Sequence, residues 1–194
     1  FSIPPIKKAF PSFNEYGKAK ETEMNKREMD TLMKKVAEGD NDAFAQLYGA
    51  AARGVLAFAY SYLRNYADAE DVTEEVFFTV KKKAYLYRAG TDARAWLFQI
   101  AKNLSLDELR RRKRRAEPLD ELAEAKASVP PKLPQLDLMT ECLDETEREI
   151  VLLHAVWGYK HREIAEATGL PLGTVTWKYN AALAKLRGYL EEEK

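Results

Sequence analysis

The sequence predicts an all-α chain: two small helical domains joined by a flexible, proline-containing linker. Three observations carry this. Helix formers dominate the 194 residues, with only nine glycines and almost no alternating β-branched runs. Residues Ala116–Gln135 turn acidic and then proline-rich, and Pro130, Pro131 and Pro134 forbid a continuous helix there. Residues Glu163–Leu186, EIAEATGLPLGTVTWKYNAALAKL, read as two helices meeting at a tight turn. The length suits one large or two small domains, and a hydrophobic content of 46% is enough to fill real cores.

Residues 1–28 mix aromatics, prolines and lysines without periodicity and read as an extended arm. The arm begins at Phe1 rather than Met, so a trimmed segment, a fusion remnant and a tag all stay open, as does a docking peptide. A helical pattern starts at Asp30, with Leu32, Val36, Phe44, Leu47 and Tyr48 apolar across a break at Glu38–Asn41, where Asp40 or Asn41 can cap the helix beyond it. A second helix, roughly Ala50–Leu63, is apolar over most of its surface and belongs at the centre of a bundle.

The third helix has an inner seam at Ala69, Val72, Val76 and Val80. Asp68, Glu70, Asp71, Glu74 and Glu75 crowd its first half, and Lys81–Lys83 close it. That order complements the helix dipole, but five carboxylates in eight residues exceed what capping needs. A solvated face and a face reserved for a basic partner are both open. A loop, YLYRAGTDA, leads into a fourth helix, where Trp96, Leu97, Ile100, Ala101 and Leu104 face inward. Asn103, Asp107, Arg110, Arg111 and Arg114 share its outer face, a mixture suited to base edges and phosphates together. Tyr85 and Tyr87 flank the cations Arg88 and Arg94, an arrangement on which unpaired bases stack. Packing is the alternative for these aromatics, and the favoured one for Trp96.

The second domain opens with Asp144 as a cap and Glu147 reaching back to it. Ile150, Leu153 and Trp157 pack inward, and Gly158 ends that helix. In the two-helix stretch, Ala165 allows close approach, Gly169 supplies positive φ at the turn, and Pro171 suits the next helix's first turn. Val175, Tyr179, Ala182, Leu186 and Leu190 form the last helix's buried seam, leaving Thr174, Trp177, Lys178, Ala181 and Lys185 on another face. Such a unit can lay its second helix in a DNA major groove or be a plain helical hairpin.

The net charge is zero, yet Arg110–Arg115 are six consecutive basic residues, while the chain from Leu136 onward is net acidic. One concentrated block points to a local phosphate contact rather than a general polyelectrolyte. Cys142 is the sole cysteine, so no internal disulfide forms and a reducing cytoplasm fits. The longest apolar run, Gly54–Leu63, is too short to cross a bilayer, and the start lacks the order of a signal peptide. His154 and His161 lie apart, no close His or Cys ligand pair occurs, and no phosphate loop or nucleophile motif is visible. No metal, cofactor, small-molecule substrate or enzymatic activity is therefore expected.

In this order, the segments resemble the extracytoplasmic-function (ECF) sigma factors, the compact group of the bacterial sigma-70 family. NYADAEDVTEEVFFTV resembles the polymerase-binding segment of region 2, and RAWLFQIAKNLSLDELRRRKRR the segments that melt and read the −10 promoter element. LDETEREIVLLHAVWGYKHREIAEATGLPLGTVTWKYNAALAKLRGYL resembles region 4, which reads the −35 element. The resemblance runs from Met29 to Leu190 and implies a region 2 domain over 29–115, a linker over 116–135 and a region 4 domain over 136–194. It implies that Asp68, Glu70, Asp71, Glu74, Glu75 and Phe77 lie on or under the surface that grips core RNA polymerase, with Glu74 standing where the family usually has glutamine. It implies −10 contacts at Asn103, Asp107, Arg110, Arg111 and Arg114, with Tyr85, Tyr87, Arg88 and Arg94 near a flipped base. It implies −35 contacts at Thr174, Thr176, Lys178, Asn180 and Lys185, with Trp177 expected either to pack or to touch bases there.

Promoter DNA, duplex at −35 and single-stranded at −10, would be the second partner, and an anti-sigma protein a third. The location implied is the bacterial cytoplasm, near the membrane where an anti-sigma partner holds it there. The family commonly has several arginines in the recognition helix; here Ala181, Ala182 and Ala184 occupy such places, so a feeble or unusual −35 contact is expected. Two other readings compete. A stand-alone helix-turn-helix regulator leaves the acidic third helix unexplained, and a degenerate adaptor that binds only proteins leaves the arginine block unexplained.

Overall fold

The computed structural model describes residues 26–116 and 134–192, and every described element is helical. The arm before Lys26 and linker residues 117–133 lie outside the described residues. Two compact units emerge, divided after Thr140.

The first unit begins with α1, Lys26–Ala37, which buries Met29, Leu32, Met33 and Val36, one stripe at helical spacing. Gly39 takes φ +92° to turn the chain, and the Asp40 carboxylate accepts from the backbone N–H groups of Asp42 and Ala43, both at 2.9 Å. That cap launches α2, Asn41–Leu63, so the central helix starts at Asn41 rather than near Ala50. Gly49, exposed with nothing near its Cα hydrogens, does not interrupt it. Ala43, Ala51, Gly54, Ala57 and Ala59 are small residues buried along α2, so neighbouring helices approach it closely.

Arg64 closes α2 in the left-handed region at φ 51°, donating its N–H to the Tyr60 carbonyl at 2.9 Å. Asn65 caps α3, Tyr66–Lys83, accepting from Asp68 N–H at 3.1 Å. Ala69, Val72, Val76 and Val80 are buried as their period requires, with Thr73 and Phe77 beside them. A 3-10 turn at Ala84–Leu86 ends this arm, and Asp92 caps α4, Ala93–Ala116, by accepting from Arg94 and Ala95 N–H at 3.0 and 3.3 Å.

The core centres on Phe58, which meets Phe98 of α4 edge-on at 4.6 Å between ring centroids and Tyr62 at 5.0 Å. The first residues of α5, Pro134–Cys142, also belong to this unit, although the sequence groups residue 136 onward with the second domain. Leu136 and Met139 are buried, the Tyr60 hydroxyl donates to Asp137, and the Arg64 guanidinium donates to the Thr140 carbonyl.

The second unit holds α6, Glu145–Ala155; α7, His161–Thr168; and α8, Leu172–Glu192. Asp144 and Glu147 form the reciprocal capping box at the start of α6, at 2.8 and 3.0 Å. Gly158 at φ 68° and Gly169 at φ 73° make the two turns in the left-handed region that glycine enters without strain. Pro171 sits just outside α8, its carbonyl accepting the helix's first backbone bond from Val175 at 3.0 Å. Val175, Tyr179, Ala182 and Leu186 are buried at the expected period; the Leu190 side chain lies outside the described residues.

Phe58→Ala removes a fully buried ring and is expected to lower unfolding free energy by about 3–5 kcal/mol. Phe78→Ala, at a residue 61% exposed, is expected to stay within about 0.5 kcal/mol. Urea denaturation of the full chain measures both.

Candidate nucleic-acid interface

The α3 carboxylates do not form one uniform face. Asp71, Glu74 and Glu75 are exposed, whereas Asp68 turns toward α4 and pairs with Arg112. Glu70 is exposed and accepts a hydrogen bond from Tyr66, whose phenol pKa is raised first by burial and then by that bond. Phe77 lies beneath the surface at 2% exposure, its ring tilted against Tyr48 at 4.7 Å and edge-on to Phe44 at 6.3 Å. The aromatic that does reach solvent is its neighbour Phe78, absent from the residues singled out in sequence.

A groove of about 700 Å³ runs between α3 and α4. One wall carries Asp68, Asp71 and Glu75, the other Asp107, Glu108, Arg110, Arg111 and Arg114, over a floor of Val72 and Leu104. Spacing assigned these walls to two separate surfaces; folding makes them the sides of one channel. Within the basic block, Arg110 bonds to Asp107 at 2.9 Å and Arg111 pairs with Glu108, both along α4 itself. Among the described side chains of the block, Arg112 alone points inward, donating to the Leu63 carbonyl at 3.0 Å, pairing with Asp68 and approaching Glu108 at 3.8 Å. Its burial lowers its pKa from the usual guanidinium range. Asn103 is exposed and accepts from Gln99 at 3.0 Å.

The aromatic-basic loop divides in the same way. Tyr85, 72% exposed, and Arg88 face solvent, as does Leu86. Tyr87 is buried against Trp96 at 5.8 Å, its hydroxyl donating to Asp30 of α1. The Gly90 N–H donates to the same Asp30 oxygen at 2.9 Å. The Arg94 side chain is only 12% exposed, 3.8 Å from Asp92, which Lys26 reaches at 3.1 Å. Tyr87 and Arg94, grouped in sequence with the base-contacting residues, thus lie inside the loop's support. Trp96 packs, as expected. Asp30 was missed: a lone Asp on an amphipathic helix carries no signal of the loop it holds.

In the second unit, Trp177 is 66% exposed and Asn180 is exposed, while Thr174 is half-buried. Lys178 instead bonds to Asp144 at 3.0 Å, and Lys185 to both oxygens of Glu147 at 2.7 and 2.8 Å. Glu147 is buried at 3% exposure, and this bond raises the Lys185 pKa. Thr176 lies 3.2 Å from Nδ1 of His161, inside a cluster where His154, His161 and Tyr179 rings meet at 4.7 to 5.4 Å. Burial, then the neighbouring His154, lowers the His161 pKa.

The model of Sigma-70 region 2 matches residues 47–115, and that of Sigma-70 region 4 matches residues 133–186. The chain is 32% identical over 161 residues to the ECF RNA polymerase sigma factor RpoE of Cereibacter sphaeroides, covering 78% of this chain and 88% of that one. It belongs to the ECF group of the sigma-70 family. RNA polymerase sigma factor CarQ of Myxococcus xanthus is 30% identical over 167 residues, 82% of this chain and 96% of that one. Among solved structures, CnrH in complex with the cytosolic domain of CnrY shares the fold, with a TM-score of 0.63 at 23% identity over 85% of this chain and 98% of that one.

This ECF sigma factor carries both walls of the groove and the exposed Tyr85–Arg88 segment inside its region 2 match, whereas Asp30 lies before it. The loop's anchor therefore comes from α1, outside the matched segment. The Tyr87 phenol is pushed up to about 12, first by burial and then by its bond to Asp30. Its folded pKa lies above the ordinary value near 10, so this stabilisation is complete below about pH 10 and is lost as pH rises toward about 12. Tyr60, pushed up to about 12 by burial and then by Asp137, acts in the same window. Melting temperatures of the wild type should fall between about pH 10 and 12. Tyr87→Phe should start lower at neutral pH and lose part of that alkaline fall, leaving the shares of Tyr60, Tyr66 and Tyr179, whose phenols are also raised by burial.

Proposed function

We propose that this sigma factor docks on core polymerase through Asp71, Glu74, Glu75 and Phe78 and reads the −10 element with the outer face of α4. The observation that carries this is the shared groove: the acidic wall of α3 stands directly across from Arg110, Arg111 and Arg114. In the free chain that wall competes with phosphate for the same guanidinium groups. A basic polymerase surface laid on Asp71 and Glu75 neutralises the competitor, so polymerase binding strengthens DNA binding, and the coupling is reciprocal. Exposed Tyr85 and Arg88 then offer a ring and a cation to an unpaired base. Trapping it offsets the few kcal/mol that unstacking costs and opens the duplex selectively. Tyr87 and Arg94 act by keeping that loop in shape.

The helix-turn-helix reads duplex DNA at the −35 element. The protein is a non-catalytic subunit: chemistry belongs to the polymerase it directs. No described helix is long and apolar enough to cross a membrane. The cytoplasm is the proposed location, with an anti-sigma protein covering the polymerase and DNA faces and holding the chain near the membrane when that partner is membrane-bound. The related fold of CnrH, solved with a piece of CnrY, supports such a partner.

Reconstitution tests this reading. Added to core polymerase, the chain should co-purify with it and yield promoter-dependent transcripts. Combined Asp71→Lys and Glu75→Lys should weaken core binding about tenfold or more while leaving the fold intact, because both side chains are exposed. Tight duplex binding without polymerase, and no transcripts with it, would instead identify a stand-alone regulator.

A further inference from the structure

The flanks of α8 are already occupied. At 3.6 residues per turn, Thr174, Lys178, Ala181 and Lys185 form one row. It is turned to the start of α6, where Asp144 holds Lys178 and Glu147 holds Lys185. On the opposite flank, Thr176 meets His161 of α7. Between them, directly away from the buried seam of Val175, Tyr179, Ala182 and Leu186, stand Trp177, Asn180, Ala184 and Arg187, all exposed. A Trp left 66% exposed opposite the buried seam of its own helix is unspent binding surface.

We propose that α8 reads adjacent A·T pairs through Trp177 and Asn180, and that Lys178 and Lys185 brace α8 against α6 instead of touching DNA. This rests on the assignment of α8 to duplex DNA. The chemistry comes from side-chain type. Indole is an apolar plate that can cover a thymine C5-methyl in the major groove, and the Asn amide matches the N6 and N7 of adenine bidentately. Residues three apart on a helix lie about 5–6 Å from each other, close enough to address neighbouring base pairs. Arg187, further along the same stripe, supplies the phosphate contact, and Ala184 leaves room for the backbone of the duplex between them. Each lysine already has a carboxylate within 3.0 Å; Lys178 closes over the carboxylate that caps α6, and Lys185 leaving for a phosphate would strand the buried Glu147. Specificity here is therefore carried by methyl contact and one bidentate amide, and the recognition helix needs few arginines.

The test uses holoenzyme assembled from the full chain and core polymerase, partitioning duplexes randomised across the promoter. The wild type should enrich neighbouring A·T pairs in the upstream element. Trp177→Ala should lose one of those preferences and Asn180→Ala the other, each weakening binding to the enriched duplex about five- to tenfold. Replacing thymine by uracil in that duplex should weaken the wild type several-fold and leave Trp177→Ala unchanged. Lys178→Gln and Lys185→Gln should keep the enriched sequence and the salt slope, with lower melting temperatures; a phosphate-contacting lysine would reduce the slope by about one. The proposal is overturned if Trp177→Ala and Asn180→Ala keep the wild-type pattern. It is equally overturned if either lysine variant flattens the slope, or if the wild type enriches no upstream element. If the wild type enriches no promoter sequence anywhere, the sigma-factor reading itself fails.

Discussion

Arg112 joins the three helices on which region 2 depends. It donates to the last carbonyl of α2 at Leu63, pairs with Asp68 in the first turn of α3, and approaches Glu108 on its own helix. The α2–α3 junction is where this tie is needed. Arg64 closes α2 in a left-handed conformation that a non-glycine residue adopts at some cost, so the corner must be held by its surroundings. Half-buried, the ion pair loses solvation but also loses the screening that makes surface pairs nearly worthless. Its geometric consequence outweighs its energy: it fixes the acidic wall of α3 across from the guanidinium ridge of α4.

Charge in this protein is organised by pairing at short range, which explains how a chain of zero net charge can face DNA. Arg110 rests on Asp107, a pair exposed on both sides and therefore exchangeable for phosphate at little loss, while Arg111 rests on the largely covered Glu108. Lys185 rests on Glu147, which is buried and also accepts from the Asp144 backbone, so that pair resists exchange. Lys178 differs again, since its partner Asp144 is half exposed and is held in place by capping α6. On the proposed reading the α4 ridge would be a phosphate-binding surface held in reserve, while Lys185 is tied into the framework.

The helices, their order and most caps were legible in sequence because period and cap chemistry are local. Leu47, Val76, Val80, Ile150 and Val175 fall on buried faces at spacings that can be counted, and Asp144 with Glu147 forms the box their separation implies. The start of α2 was not legible, since an exposed Gly49 within an otherwise helical stretch looks like a boundary and is none. Site residues were legible as neighbourhoods rather than individuals. Composition marks Tyr85–Arg94 and Arg110–Arg115, but which members turn inward depends on carboxylates far away in sequence: Asp30 for Tyr87, Asp68 for Arg112, Asp144 for Lys178. A helical wheel drawn for α8 alone puts Trp177 and Lys178 on one face; the arrival of α6 separates them.

The two units solve one problem in opposite ways. A DNA reader must present donors to phosphate and bases without collapsing onto its own carboxylates. Region 2 keeps Arg110 and Arg111 solvent-exposed and places an acidic wall opposite, so on the proposed reading its affinity for DNA depends on what covers that wall. The helix-turn-helix commits its lysines to buried or capping carboxylates and turns an aromatic ring and an amide outward, groups whose contacts change little with salt. The first surface is conditional on a partner, and the second is built in permanently. On the proposed reading, a conditional electrostatic surface in one unit and a fixed, largely neutral one in the other would let polymerase binding govern when the DNA is held, while base identity governs where.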